Sequence, residues 1–164
     1  MTTILSSLVW LIASAVWAQA PATTEIGLTV KSLSGQTIHL AASDLAKLPR
    51  VHLNAVAHDG KAHEYEGVRL SDVLAKAGAP SGDLLRGKEM ADFVVAEAAD
   101  SYRVVFSLAE LDPDFGNRQI IVADKMDGQP LPPQDGPLRL VVSGDKRQAR
   151  WVRMLTTLTI ARAP

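Results

Sequence analysis

The chain has 164 residues, with 17 Lys and Arg against 18 Asp and Glu, a formal net charge of -1 and no cysteine. That length fits one domain rather than two, the near-neutral balance argues against a general nucleic-acid binder, and the 47% apolar content argues against a disordered tail. Without cysteine there is no disulfide, no thiolate nucleophile and no thiolate–metal bond.

Residues 1–20 carry no charged side chain and hold the apolar run LVWLIASAVWA. They end in Ala18-Gln19-Ala20, the small-x-small pattern at which a signal peptide is cut. The run is shorter than the roughly 20 residues that cross a bilayer. The expectation is an export signal followed by a single domain over residues 21–164, periplasmic or secreted, with no stable membrane insertion after cleavage. An uncleaved anchor is the alternative, because no Lys or Arg precedes the apolar run.

Short β-type segments separated by turn residues follow. Glu25 to Lys31 alternates and reads as a strand, and Ser34-Gly35 turns it into a second, Gln36 to Leu40. Ser43 is placed to cap a short helix over Asp44 to Leu48, stopped by Pro49. Arg50 to His58 alternates strictly, with Val51, Leu53, Ala55 and Ala57 on one face and His52, Asn54, Val56 and His58 on the other. Asp59-Gly60 signals a two-residue hairpin turn into Lys61 to Glu66. A helix capped by Ser71 and closed at Gly78 comes next.

Met90 to Glu97 and Tyr102 to Phe106 read as strands, and Ser107-Leu108-Ala109-Glu110 is a capping box that opens a short helix. Arg118 to Ala123 is an apolar strand, and Asp127-Gly128 is a turn. Leu138 to Val142 is a strand with Arg139 as its outward charge, and Val152 to Ile160 is the last strand. About eight or nine strands with two or three short inserted helices define an α+β fold with mixed or antiparallel sheets, rather than regular βαβ winding.

Two constellations carry possible chemistry. The segment Gly144 to Arg153, GDKRQARWVR, gathers Lys146, Arg147, Arg150 and Arg153 around Trp151 after the Arg139 strand. Arginine forks match carboxylate and phosphate, so a loop of this kind is a candidate anion seat. The blander alternative is a solvated loop whose arginines pair with Asp135 or Asp145. In the second constellation, a two-residue turn at Asp59-Gly60 pairs Val56 with His63. His52, His58 and His63 then share one hairpin face, opposite Ala55. Polar residues on a wet sheet face explain them without a metal, since they lack compact ligand spacing and Lys61 would repel a cation. No metal ligand set is assigned. There is no Gly-rich phosphate loop and no Gly-x-Ser-x-Gly elbow. Asp100 and Tyr102 read as a turn carboxylate and a tyrosine at the core edge.

Several segments together resemble the sulfite-oxidase-type molybdopterin-binding oxidoreductase domain. They are Gly136-Pro137-Leu138-Arg139-Leu140-Val141-Val142 and Ala149-Arg150-Trp151-Val152-Arg153-Met154-Leu155, with Tyr65-Glu66-Gly67-Val68-Arg69-Leu70-Ser71-Asp72-Val73-Leu74 upstream. Ala99-Asp100-Ser101-Tyr102 and Asp127-Gly128-Gln129-Pro130-Leu131 add to them, in the family's order. The resemblance implies a β-rich sulfite-oxidase-like fold with molybdopterin as the cofactor to expect. It implies that Arg139, Lys146, Arg147, Arg150 and Arg153 form the cofactor-side surface, with Arg150 and Arg153 at the family's basic positions. The family's molybdenum-ligating cysteine falls at Ala55, a methyl group, which cannot coordinate a metal. Position 143 is Ser where the family often has Pro, and position 151 is Trp where it often has Ser.

With the export signal read from residues 1–20, the resemblance and its missing cysteine imply an exported protein that has lost redox chemistry and keeps a site for a small anionic ligand. A molybdenum enzyme with a thiolate-free site, its metal held by the pterin and oxo groups, is one alternative. A periplasmic module that binds a protein partner is the other.

Overall fold

A computed structural model describes residues 27–164. The proposed export signal, and the first two residues of the strand read from Glu25, lie outside the described residues. The chain builds two five-stranded sheets and three short helices, with 3-10 turns between them.

The first sheet uses β1 (Gly27–Lys31), β2 (Thr37–Ala41), β5 (Asp92–Ala98), β6 (Arg103–Ser107) and β10 (Leu155–Arg162), in the order β2-β1-β10-β5-β6. β1 and β10 run parallel, and the other pairs are antiparallel. The second sheet orders β3 (Arg50–Val56), β4 (Ala62–Arg69), β7 (Ile120–Met126) and the two-residue β8 (Gln129–Pro130). β9 (Arg139–Val142) also pairs with β7. The helices α1 (Ala42–Leu45), α2 (Leu70–Lys76) and α3 (Leu108–Leu111) follow β2, β4 and β6 directly. The α+β class with mixed sheets read from the sequence is the observed one.

Alternation buries one face of most strands in a common core, and β7 and β9 of the second sheet are buried on both faces. Leu28, Val30, Val94, Ala96, Phe106, Leu158 and Ile160 come from the first sheet, and Leu53, Tyr65, Ile121, Val122 and Leu140 from the second. Each large apolar side chain buried this way contributes about 1.5–3 kcal/mol relative to exposure. Gly67 marks the closest approach inside the second sheet. A Cβ there would lie 2.1 Å from the Val122 carbonyl oxygen and 2.7 Å from Ala123 Cα. β4 therefore runs through Gly67 to Arg69, with a register shift between Glu66 and Gly67, instead of ending at Glu66.

Two helix starts differ from expectation. α1 begins after Ala41, whose N–H donates to Asp44 Oδ2 at 3.2 Å, so the cap comes from the third residue of the helix and not from Ser43. α2 begins after Arg69, two residues before Ser71. At α3 the capping box expected at Ser107 and Glu110 is present.

Candidate functional site

Gly144 has φ +78°, in the left-handed region that glycine enters without steric cost, and it lets the chain leave β9 sharply. A 3-10 turn over Gln148–Arg150 follows. Several hydrogen bonds hold this basic segment against the rest of the molecule, three of them around the 3-10 turn. Gln148 Nε2 donates to the Val56 carbonyl at 2.8 Å, the Tyr102 hydroxyl donates to the Ala149 carbonyl at 2.5 Å, and Trp151 Nε1 donates to the Val142 carbonyl at 3.1 Å. The first bond matters most for the site. It fixes the turn to the end of β3, one residue from half-buried Ala55. Gln148 and the Tyr102 hydroxyl were not singled out from the sequence as anchors, because their partners lie far along the chain. Asp100 Oδ1 accepts from the Tyr102 N–H at 3.0 Å, as a satisfied turn carboxylate does, whereas Tyr102 itself is 47% exposed.

The five cations divide into two sets. Arg150 faces Asp145 with a two-pronged pair, Nε to Oδ2 at 2.9 Å and an Nη to Oδ1 at 2.8 Å, and lies 3.5 Å from Glu110. Its guanidinium carbon sits 5.1 Å from the Phe106 ring centroid. Arg118 shares Asp145 at 2.7 Å. The hydrogen bond from Arg150, with Arg118 adding to it, holds the Asp145 carboxyl below the usual aspartate value of 3.8.

Arg139 is 7% exposed, so the expectation of an outward charge is corrected. β9 is enclosed: β7 pairs along one edge, and the Leu140 N–H donates to the Val152 carbonyl along the other. All four residues of β9 are buried as a result, and period-two alternation does not reveal an outer face. Arg139 pairs with Asp135 at 3.0 Å, and its guanidinium carbon lies 5.6 Å from the Tyr65 ring centroid and 5.5 Å from that of Trp151. Two buried atoms of this cluster, Arg139 Nε and Tyr65 Oη, have no protein partner among the described residues. Lys146, Arg147 and Arg153 form the other set. They are exposed, and none makes an ion pair with a described residue.

The hairpin corrects the histidine reading. Ala57 N–H donates to the Lys61 carbonyl at 2.8 Å, and Gly60 has φ +78°. The loop is therefore His58-Asp59-Gly60, three residues long, and the register moves by one. Ala55 pairs with His63 and Asn54 with Glu64. A one-residue change of register reverses every side chain of the returning strand. His63 lies on the Ala55 face with Tyr65, and Glu64 joins His52 on the outer face, where the two are hydrogen-bonded. His63 is held between Asp127, 2.6 Å from Nδ1, and Asp59, 3.3 Å from Nε2. Those carboxylates, Asp127 foremost, raise the His63 pKa above the ordinary 6.5. Among the described residues no group of three or more His, Asp or Glu is arranged to hold a metal ion.

Two clefts stand out, and neither is lined by Ala55 or by any of the five cations. One, of about 420 Å³, lies among Leu45, Asp124, Leu131 and Leu138, and the other, of about 240 Å³, among Leu74, Pro80, Leu108 and Pro113.

The two-sheet fold, with its basic turn set against the end of β3, is that of a sulfite-oxidase-like molybdopterin domain. The sequence matches the family described as the oxidoreductase molybdopterin binding domain over residues 17–164, and the chain belongs to that family. Among solved structures, it superposes on the sulfane dehydrogenase SoxCD from Paracoccus pantotrophus with a TM-score of 0.64 at 23% identity. That match covers 83% of this chain and 38% of the SoxCD chain, so this chain corresponds to well under half of its structural relative. No curated protein sequence matches it.

The fit of the family's cofactor is judged from the donor set. The resemblance places the protein ligand to molybdenum at position 55, where the side chain is a methyl group, and the chain contains no thiol anywhere. Molybdenum bound in this manner needs a soft anionic ligand, and alanine supplies none. The residues present do not fit a protein-ligated molybdenum centre, and no chemical step is derived through one.

Proposed function

We propose that this chain is an exported member of the molybdopterin-binding oxidoreductase domain family that performs no redox chemistry and binds a small anionic ligand at the basic turn. What carries this reading is Ala55, a half-buried methyl at the position that the resemblance gives to the family's ligating sulfur, next to the residue that anchors a turn rich in cations. Lys146, Arg147 and Arg153 remain exposed on that turn, and guanidinium groups offer an oxyanion paired N–H donors. Export is supported by residues 1–20, with their uncharged apolar run and Ala-Gln-Ala terminus.

Calorimetric titration of the full chain with inorganic phosphate tests the binding half of this reading. Saturable binding is expected in the wild type, with at least a tenfold loss when Lys146, Arg147 and Arg153 are all changed to Ala. Equal affinity in the two proteins would refute it. A second reading, a module that docks a protein partner, draws on Val56 and Tyr102, which are 54% and 47% exposed beside the same turn. Val56→Ser, which keeps the backbone carbonyl that anchors Gln148, should leave phosphate affinity unchanged while weakening any protein complex made through this face.

A further inference from the structure

We infer that Asp135, Tyr65 and Trp151 occupy Arg139 from within the protein. Arg139 is thereby closed to external anions, and the turn is restricted to oxyanions recognised at the surface by Lys146, Arg147 and Arg153. The inference deepens the anion-binding reading and rests on it for the surface half only.

A guanidinium offers an anion its in-plane N–H edges, while its two faces suit aromatic rings. At Arg139 the protein supplies aromatic neighbours and an acceptor for one of the N–H groups. Tyr65 and Trp151 lie close to the guanidinium, with their own rings 5.7 Å apart at 88°. Asp135 accepts from an Nη at 3.0 Å. The indole cannot swing away without losing the bond from Nε1 to the Val142 carbonyl. Asp135 is set in place by its backbone, since its N–H donates to the Pro132 carbonyl at 2.9 Å and its carbonyl accepts from Met154 at 2.9 Å. A carboxylate tethered this way competes with a free anion at an effective concentration that dissolved ligand rarely reaches.

The remaining edge, Nε, is buried and unpartnered, as is Tyr65 Oη, and neither Arg139 nor Tyr65 lines either cleft. Unfilled donors therefore exist in the cluster, but Arg139 and Tyr65 are 7% and 0% exposed and neither of these two clefts reaches them. Trp151 is itself only 6% exposed, so its large ring adds to the closure. Specificity follows from this arrangement. An anion that must shed its water to reach a buried arginine is refused, and one that keeps part of its hydration shell is accepted at the rim.

Proton–nitrogen correlation spectra of the arginine side chains read each Nε–H separately. Titrated with inorganic phosphate, the full chain should show saturable shifts at Arg147 and Arg153 and none at Arg139. The Arg139 Nε–H should exchange with solvent at least tenfold more slowly than that of Arg147. In the variant Asp135→Asn with Trp151→Ala, Arg139 should begin to respond to phosphate. A saturable Arg139 response in the wild type, or exchange as fast as at Arg147, would overturn the closure while leaving surface binding intact. Silence at Arg147 and Arg153 would overturn surface binding alone. If the double variant does not fold, the wild-type titration and exchange rates decide the closure without it.

Discussion

Arg139 and Arg147 are eight positions apart on consecutive segments and carry the same charge, yet they live in different solvents. Arg139 is enclosed by two aromatic rings and a carboxylate, whereas Arg147 is exposed and has no acidic partner among the described residues. The difference shows that a basic cluster read from sequence is two populations. Charges taken out of water must be matched internally, because desolvation is costly. Charges left in water need no match and stay available to a ligand. Arg150 sides with the first group, since Asp145 and Glu110 claim it.

Stability measurements break the two populations apart most strongly. Arg139→Met leaves Asp135 beside an apolar cluster without its cation, and loss of about 3 kcal/mol is expected in urea unfolding. Arg147→Ala should change the same quantity by less than about 0.5 kcal/mol. Equal effects would mean that the burial of Arg139 has no energetic meaning.

Asp145→Asn comes next, at about 2 kcal/mol, because it removes a shared acceptor from Arg118 and Arg150. The pH dependence has a definite sign. The pKa of Asp145 is held below 3.8 in the folded protein, chiefly by Arg150. Its stabilising contribution is therefore complete above 3.8 and is lost as pH falls through the depressed folded value. An unfolding series in acid should show this loss in the wild type and its absence in Asp145→Asn.

His63 behaves in the opposite direction. Asp127 first, and Asp59 second, raise its pKa above 6.5, so its contribution is complete below 6.5 and disappears as pH rises through the folded value. The stability difference between wild type and His63→Gln should shrink as pH rises above 6.5. A difference that grows over that range would contradict the clamp between the β3–β4 loop and Asp127.

Ala55→Cys should perturb stability least, by less than about 1 kcal/mol, since a small thiol replaces a methyl at a half-buried position. Made in cells that synthesise the molybdenum cofactor, this variant should still carry far less than one molybdenum per chain. Arg139 remains closed whatever stands at position 55. Stoichiometric molybdenum in the variant would show that the missing sulfur was the sole obstacle.

Much of this was legible in the sequence, for physical reasons that also mark where legibility stopped. The strict alternation of β3 placed Leu53 inward and His52 outward, and the α3 capping box is written in Ser107 and Glu110. The pairing of a loop arginine with Asp145 was open to sequence reasoning as the bland alternative, and Arg150 forms it, whereas Asp135 takes the strand residue Arg139 instead. His63 was placed on the wrong face because Asp59-Gly60 fits both a two-residue and a three-residue loop, and the choice moves the register by one. Arg139 was misplaced because a strand enclosed on both edges carries no alternation to read. Gln148 was invisible as an anchor because its partner, the Val56 carbonyl, lies 92 residues away in sequence.

Molybdenum and pterin content, measured on the full-length protein isolated from its own cells, decides the central claim. The account predicts neither the metal nor acid-released pterin fluorescence in stoichiometric amount. Close to one molybdenum and one pterin per chain would contradict it.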